Sequence, residues 1–185
     1  GDAGRVDPVV VAFHDRYSAI CEQYRAVRAR LLTMNPTGEP QIIAITSSIP
    51  EEGKSVSTLN LGMLMGEGGE HRILMVDGDF RRTSLARMVG VTSSPGMADF
   101  IQGTCELKDI LQPTPLPNVK LLPAGEVQGR AYSDLLAGQR LPAALERLRA
   151  VFDYVFVDTP PVTTVSDVCL LAPHCDGAIM VVEMR

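Results

Sequence analysis

No stretch of this 185-residue sequence approaches the ~20 consecutive apolar positions that a membrane-crossing helix needs, and no secretion-signal pattern opens it. Basic charge is also short. Seventeen Lys and Arg face 22 Asp and Glu, a formal net charge of -5, which argues against nucleic acid as a partner. Cys21, Cys105, Cys169 and Cys175 fall in no zinc-ligand spacing and read as free thiols of a reducing compartment. His14, His71 and His174 stand apart from one another and from any nucleophile motif. No internal repeat is visible.

What remains is an ordinary globular composition, 45% hydrophobic and 21% charged, in a length that suits one compact domain. Residues 1–14 show no periodic apolar pattern through Pro8 and are expected to be a flexible lead-in. From about Asp15 to Met34, Ile20, Tyr24, Val27 and Leu31 recur at helical spacing, and Asn35-Pro36 stops the helix. Four runs, Ile42–Ile45, Ile73–Val76, Tyr154–Val157 and Ala178–Val182, are almost continuously apolar, as strands covered on both faces must be. Val119–Leu122 is a weaker fifth strand, and Pro113 to Pro117 reads as a loop. Helical faces lie between the strands: Val56, Leu59 and Met63 on one, and Leu141, Ala144, Leu145 and Leu148 on another. The alternation predicts a doubly wound, mostly parallel α/β sheet flanked by helices, over residues 15–185.

Three strand ends carry chemistry. After the first strand comes Thr46-Ser47-Ser48-Ile49-Pro50-Glu51-Glu52-Gly53-Lys54-Ser55, leading into a helix. A phosphate chain needs converging backbone N–H groups and the positive end of a helix, and Gly53 lets the backbone approach closely. Lys54 would reach the β- and γ-phosphates and Ser55 would enter a Mg²⁺ shell. Pro50, Glu51, Glu52, Gly53, Lys54, Ser55 and Val56 are therefore the candidate nucleotide contacts, although Ser48 stands where the usual first glycine would be. Asp77 and Asp79, two residues apart, sit where the second strand opens into a loop, the end at which open α/β sheets bind ligands. Asp158 ends a third strand ahead of Thr159-Pro160-Pro161, suited to orienting Mg²⁺ through water. An exposed helix start is the plain alternative for Gly53-Lys54-Ser55, and a strand-terminating turn for each of the two aspartate motifs. The three in this order argue for Mg-ATP chemistry.

The set resembles the bacterial tyrosine kinases that control capsule and exopolysaccharide export. Thr46-Ser47 with Pro50 and Glu52 to Ser55 matches that family's phosphate loop, Leu74 to Arg81 its second acidic motif, and Val155 to Pro161 its Walker B segment. Gly96 to Phe100, Leu121 to Gly125, and Ser166-Asp167 are further landmarks. The resemblance implies a P-loop fold of the Par/Min-like subclass. It also implies phosphoryl transfer from ATP to tyrosine, with Lys54, Asp77, Asp79 and Asp158 catalytic, Asp77 the candidate base, and Ser55, Asp77 and Asp158 near the metal. Glu22, Arg25 and Arg28, three apart on one helical strip, correspond to its ring-forming contact, where charge alone would suggest a solvated face. The family pairs this domain with a membrane chain-length regulator, fused or separate, so the expected location is the cytoplasmic face of the membrane. Its acceptor tail of clustered tyrosines has no counterpart here. Tyr17, Tyr24, Tyr132 and Tyr154 are scattered, so the sequence is expected either to stop before such a tail or to bind ATP without one. Two other functions stay open: a Par/Min-type ATPase, whose extra P-loop lysine is replaced here by Ile49, and a nucleotide-gated assembly subunit.

Overall fold

A computed structural model describes residues 6–127, 131–163 and 167–184. Six strands form one sheet in the order β3-β4-β2-β5-β1-β6. These are β1 (Gln41–Ser47), β2 (Ile73–Asp77), β3 (Gln112–Pro113), β4 (Val119–Leu122), β5 (Tyr154–Asp158) and β6 (Gly177–Val181). All pairings are parallel except β3 with β4. β1, β2 and β5 lie side by side and end level: Ile45 pairs with Asp158, and Asp77 pairs with Asp158. Their carboxyl ends therefore present Asp77, Asp158 and the loop after β1 at one edge.

Alternation along these strands divides the apolar residues between two cores. Ile42, Leu74, Val76, Val155 and Val157 face one layer, formed with α5 (Met97–Gln102), α7 (Tyr132–Leu136) and α8 (Arg140–Arg149). Ile43, Ile45, Ile73, Met75, Tyr154 and Phe156 face the other, formed with α1 (Val11–His14), α2 (Ala19–Met34), α3 (Lys54–Met65) and α4 (Ser84–Val89). α3 lies so close to the sheet that a Cβ at Gly62 would collide with the Met75 side chain. α6 (Leu107–Ile110) and α9 (Asp167–Leu171) complete the α-helices among the described residues, and a 3-10 turn (Ala172–His174) follows α9.

The doubly wound, mostly parallel sheet matches expectation, with four local corrections. The lead-in is not loose from Val6 onward: Val6, Val10 and Ala12 are buried, and the buried Asn60 of α3 accepts the Ala12 N–H at 2.8 Å. The first helix begins at Ala19 rather than Asp15, because the Ser18 hydroxyl accepts the Cys21 N–H and caps it there. Tyr17 thus precedes the helix, 91% exposed, and the inward face runs through Cys21, Tyr24 and Leu31, leaving Ile20 and Val27 exposed. β6 is not covered on both faces. It is an edge strand with Met180 half exposed. Gln112-Pro113, at the start of the expected loop, forms the short antiparallel edge β3, the place in a sheet where proline is tolerated. Among the described residues no helix is long and apolar enough to cross a membrane.

Candidate functional site

The loop from β1 into α3 is shaped by one side chain. Glu52 Oε2 accepts the N–H groups of Ser48 at 2.8 Å and Ile49 at 3.0 Å, and Oε1 accepts that of Glu183 at 3.3 Å. Two left-handed residues, Glu51 (φ 71°) and Gly53 (φ 87°), turn the chain into α3. Glycine adopts that region freely, whereas Glu51 is held there at some strain. The turn places Lys54 and Ser55 in the first turn of a twelve-residue helix, where unpaired N–H groups and the helix dipole favour anions.

Lys54, Asp77, Asp79 and Asp158 are all buried and meet at this point. Lys54 Nζ lies 3.3 Å from Asp79 Oδ2 and 3.6 Å from Asp158 Oδ1. Ser55 Oγ donates to Asp158 Oδ2 at 2.6 Å. Asp77 accepts the Leu85 N–H at 3.0 Å and the Asp79 N–H at 3.3 Å. Asp79 accepts the Arg81 and Arg82 N–H groups, which tightens the loop that follows β2.

One lysine among three buried carboxylates leaves a surplus of negative charge. The chain answers it by shifting protons. Burial, reinforced by Asp158 and Asp79 and opposed by the Leu85 N–H, pushes Asp77 up to about 8. Burial also raises Asp158, to about 6, with Lys54 and Ser55 pulling the other way. Asp158 Oδ1 is buried without a hydrogen-bond partner. An orphaned carboxylate oxygen beside a lysine, a serine hydroxyl and two further carboxylates fits a divalent cation brought in by a phosphate chain. Among the described residues no three His, Cys, Asp or Glu side chains make a ready metal cage. Mg²⁺ fits such a site because it keeps waters and substrate oxygens instead of demanding an all-protein shell.

The cleft over these groups has a volume of about 850 Å³. Of the seven candidate nucleotide contacts, Pro50, Glu51, Gly53, Lys54, Ser55 and Val56 line it. Glu52 does not, because its carboxylate is turned back into the loop. Asp79, Pro160 and Pro161 also line the cleft, while Asp77 and Asp158 lie beneath it, fully buried. Sequence reasoning missed the opposite wall. Arg81, Arg82 and Arg87 stand there with Thr83 and Ser84, and Asp7 and Val9 of the lead-in join them. The tandem Arg81-Arg82, one residue beyond Asp79, was the available signal.

Two landmark segments lie elsewhere and brace each other. Met97 and Ala98 N–H groups donate to Pro123 and Ala124 carbonyls, and Asp99 accepts the Gly96 N–H at 2.8 Å. Ser166 falls outside the described residues. The strip on α2 does not form one exposed face. Arg25 is bidentate to Glu67 at 2.8 and 2.9 Å and also binds Glu22 at 2.6 Å, while Arg28 donates to the Glu67 carbonyl. Glu22 is the exposed member, its side chain 68% accessible.

Comparison with known proteins agrees with this geometry. The family described as "AAA domain" matches residues 40–184. The tyrosine-protein kinase CpsD of Streptococcus pneumoniae serotype 4 is 30% identical over 169 residues, covering 89% of this chain and 68% of that protein. The succinoglycan biosynthesis transport protein ExoP of Rhizobium meliloti is 30% identical over 90% of this chain, which spans 21% of ExoP. Among solved structures, the kinase domain of Escherichia coli tyrosine kinase ETK superposes with a TM-score of 0.86 at 26% identity, covering 95% of this chain and 68% of that one. The septum site-determining protein MinD of Pyrococcus horikoshii, complexed with Mg-ADP, gives 0.62 at 28% identity over 77% of this chain and 57% of its own. The P-loop fold of these relatives implies nucleotide binding. With most of its length matched by the domain family and two thirds of a tyrosine-protein kinase matched at 30% identity, the chain belongs to the bacterial tyrosine kinase family.

Proposed function

We propose that this chain is an ATP-dependent protein-tyrosine kinase domain acting in the production and export of a capsule or exopolysaccharide. The observation that carries the reading is the buried group of Asp77, Asp79 and Asp158 around Lys54, with Asp158 Oδ1 left without a hydrogen-bond partner. Ser55 and Asp158 would hold Mg²⁺, and the backbone of residues 50–56 with Lys54 would hold the phosphates. When bound, Mg²⁺ supplies charge neutralisation to the transferring phosphoryl group. Lys54, now directed at Asp79 and Asp158, would turn to the phosphate oxygens. Asp77 is the base: raised to about 8 by burial, its carboxylate is a stronger proton acceptor than an ordinary one once ionised, and a bound Mg²⁺ would favour that ionised form. Asp79, through its bonds to the Arg81 and Arg82 N–H groups, keeps the loop after β2 in place.

Ile49, rather than lysine, at the start of the P-loop supports the kinase over a Par/Min-type ATPase. An exogenous tyrosine copolymer with γ-labelled ATP tests the reading. Phosphotyrosine formed by the wild type and abolished in both Lys54→Ala and Asp77→Asn supports it. Phosphate release with no phosphotyrosine would favour the ATPase or a nucleotide-gated assembly subunit.

A homo-oligomeric ring and a membrane chain-length regulator, fused or separate, are the proposed partners, which places the domain at the cytoplasmic face of the membrane. Glu22 is the residue through which to test the ring, because Arg25 and Arg28 also serve α3. Glu22→Arg lowers the mass in light scattering if the ring forms through this strip, and an unchanged oligomer removes Glu22 from the contact.

A further inference from the structure

The arginines of the cleft wall differ from those that brace the fold, among which Arg28 and Arg140 bond backbone carbonyls. Arg25, Arg72, Arg147 and Arg149 each pair with a carboxylate. Arg82 and Arg87 are exposed on the cleft wall, and among the described residues neither has a carboxylate partner. Arg81, beside them, lies over the Tyr132 ring at 5.7 Å. The cleft volume of about 850 Å³ is near the upper end of the roughly 300–1,000 Å³ usual for small-molecule sites. There is room along this wall beside a phosphate chain held at α3. Residues 6–10 run past α4, with the Asp7 N–H donating to the Met88 carbonyl at 2.7 Å, and they bring an acidic side chain into the same cleft.

We propose that Arg82 and Arg87 form the docking wall for the phosphoacceptor, and that they select an extended tyrosine segment flanked by acidic residues. Two unpaired guanidiniums on an open wall attract carboxylates from a distance and fix the register of a segment whose tyrosine reaches the strand ends. What happens to the docked tyrosine rests on the kinase reading; the docking does not.

The test is anisotropy binding to the Mg-ADP-loaded chain. The probes are a fluorescent tyrosine peptide flanked by glutamates and its counterpart with glutamine at those positions. We expect the acidic peptide to bind about tenfold more tightly at low salt, a preference shrinking as salt screens the contact. Arg82→Gln with Arg87→Gln should erase that preference while leaving Mg-ADP affinity unchanged. Equal binding of the two peptides by the wild type overturns the proposal, as does a preference that survives in the variant. A variant that loses Mg-ADP affinity in step with peptide affinity assigns the arginines to the nucleotide and also overturns it. So does tighter binding of an acidic oligosaccharide of matched charge. Arginine-dependent peptide binding without phosphotyrosine formation from ATP would leave the docking wall standing and remove the kinase reading alone.

Discussion

At its N-terminal end α3 carries Lys54 and Ser55 into a group of three buried aspartates, where one carboxylate oxygen has no hydrogen-bond partner and Asp77 is pushed up to about 8. Just past its C-terminal end, Glu67 meets Arg25 in a bidentate pair, and its own carbonyl accepts from Arg28. The two ends of one helix therefore treat charge in opposite ways. At the far end the Glu67 carboxylate and the Arg25 guanidinium satisfy each other, although Arg28 Nε is buried without a hydrogen-bond partner, and Arg25 holds Glu67 below the usual carboxylate range. At the near end the charges are arranged for something not supplied by the chain. Paired charge holds α2 against α3, whereas surplus buried charge marks where ligands enter.

The largest expected effect breaks the near end. Lys54→Ala and Asp158→Asn each lower phosphotyrosine formation by about 10³-fold, the range found when preorganised charge is removed from a transferring group. Asp77→Asn sharpens the contrast further, because it should reduce turnover and yet stabilise the nucleotide-free chain. The folded carboxyl titrates at about 8 against an ordinary 3.8, so its burial opposes folding increasingly as pH rises between those values. The melting temperature of Asp77→Asn should exceed that of the wild type at pH 8, and the gain should vanish toward pH 4. A variant that melts lower than the wild type at pH 8 would show that Asp77 is already satisfied.

At the far end the signs reverse. Arg25→Ala should destabilise the chain by about 1–3 kcal/mol through loss of a charge-assisted bidentate pair, read as a lower urea midpoint, with nucleotide affinity unchanged. The smallest effect is expected at Arg72, whose side chain is 59% exposed beside Asp153. Arg72→Ala should shift stability by less than about 1 kcal/mol. A larger loss there than at Arg25 would dissolve the distinction between paired and exposed charge.

The near end was legible in the sequence because its parts are local. A strand, a glycine, a lysine and a serine are consecutive, and Asp77, Asp79 and Asp158 each follow an apolar run. The far end was not, because Glu67 is 42 residues from Arg25 and no periodicity marks it as the partner. Helical spacing alone admits either Ile20, Tyr24, Val27 and Leu31 or Cys21, Tyr24, Arg25 and Arg28 as the inward stripe. The structure keeps Tyr24 and Leu31 of the first and adds Cys21, Arg25 and Arg28 of the second, the two arginines being drawn in by Glu67. β6 was misjudged for a related reason: Gly177–Val181 has core-like composition, but exposure follows from strand order, which composition does not encode. The buried lead-in had one sign, Asn60 in the middle of an apolar helix, a polar group that needs a partner and finds it in Ala12 and Val9.

The most direct test of phosphoryl transfer to tyrosine is the fate of the γ-phosphate. The chain is incubated with Mg-ATP labelled at the γ-position and an acidic tyrosine acceptor, and label on tyrosine is counted against free phosphate. The structure predicts that most label reaches tyrosine and that Asp77→Asn suppresses that fraction. Label recovered almost wholly as free phosphate, at a rate indifferent to the acceptor, would contradict the account.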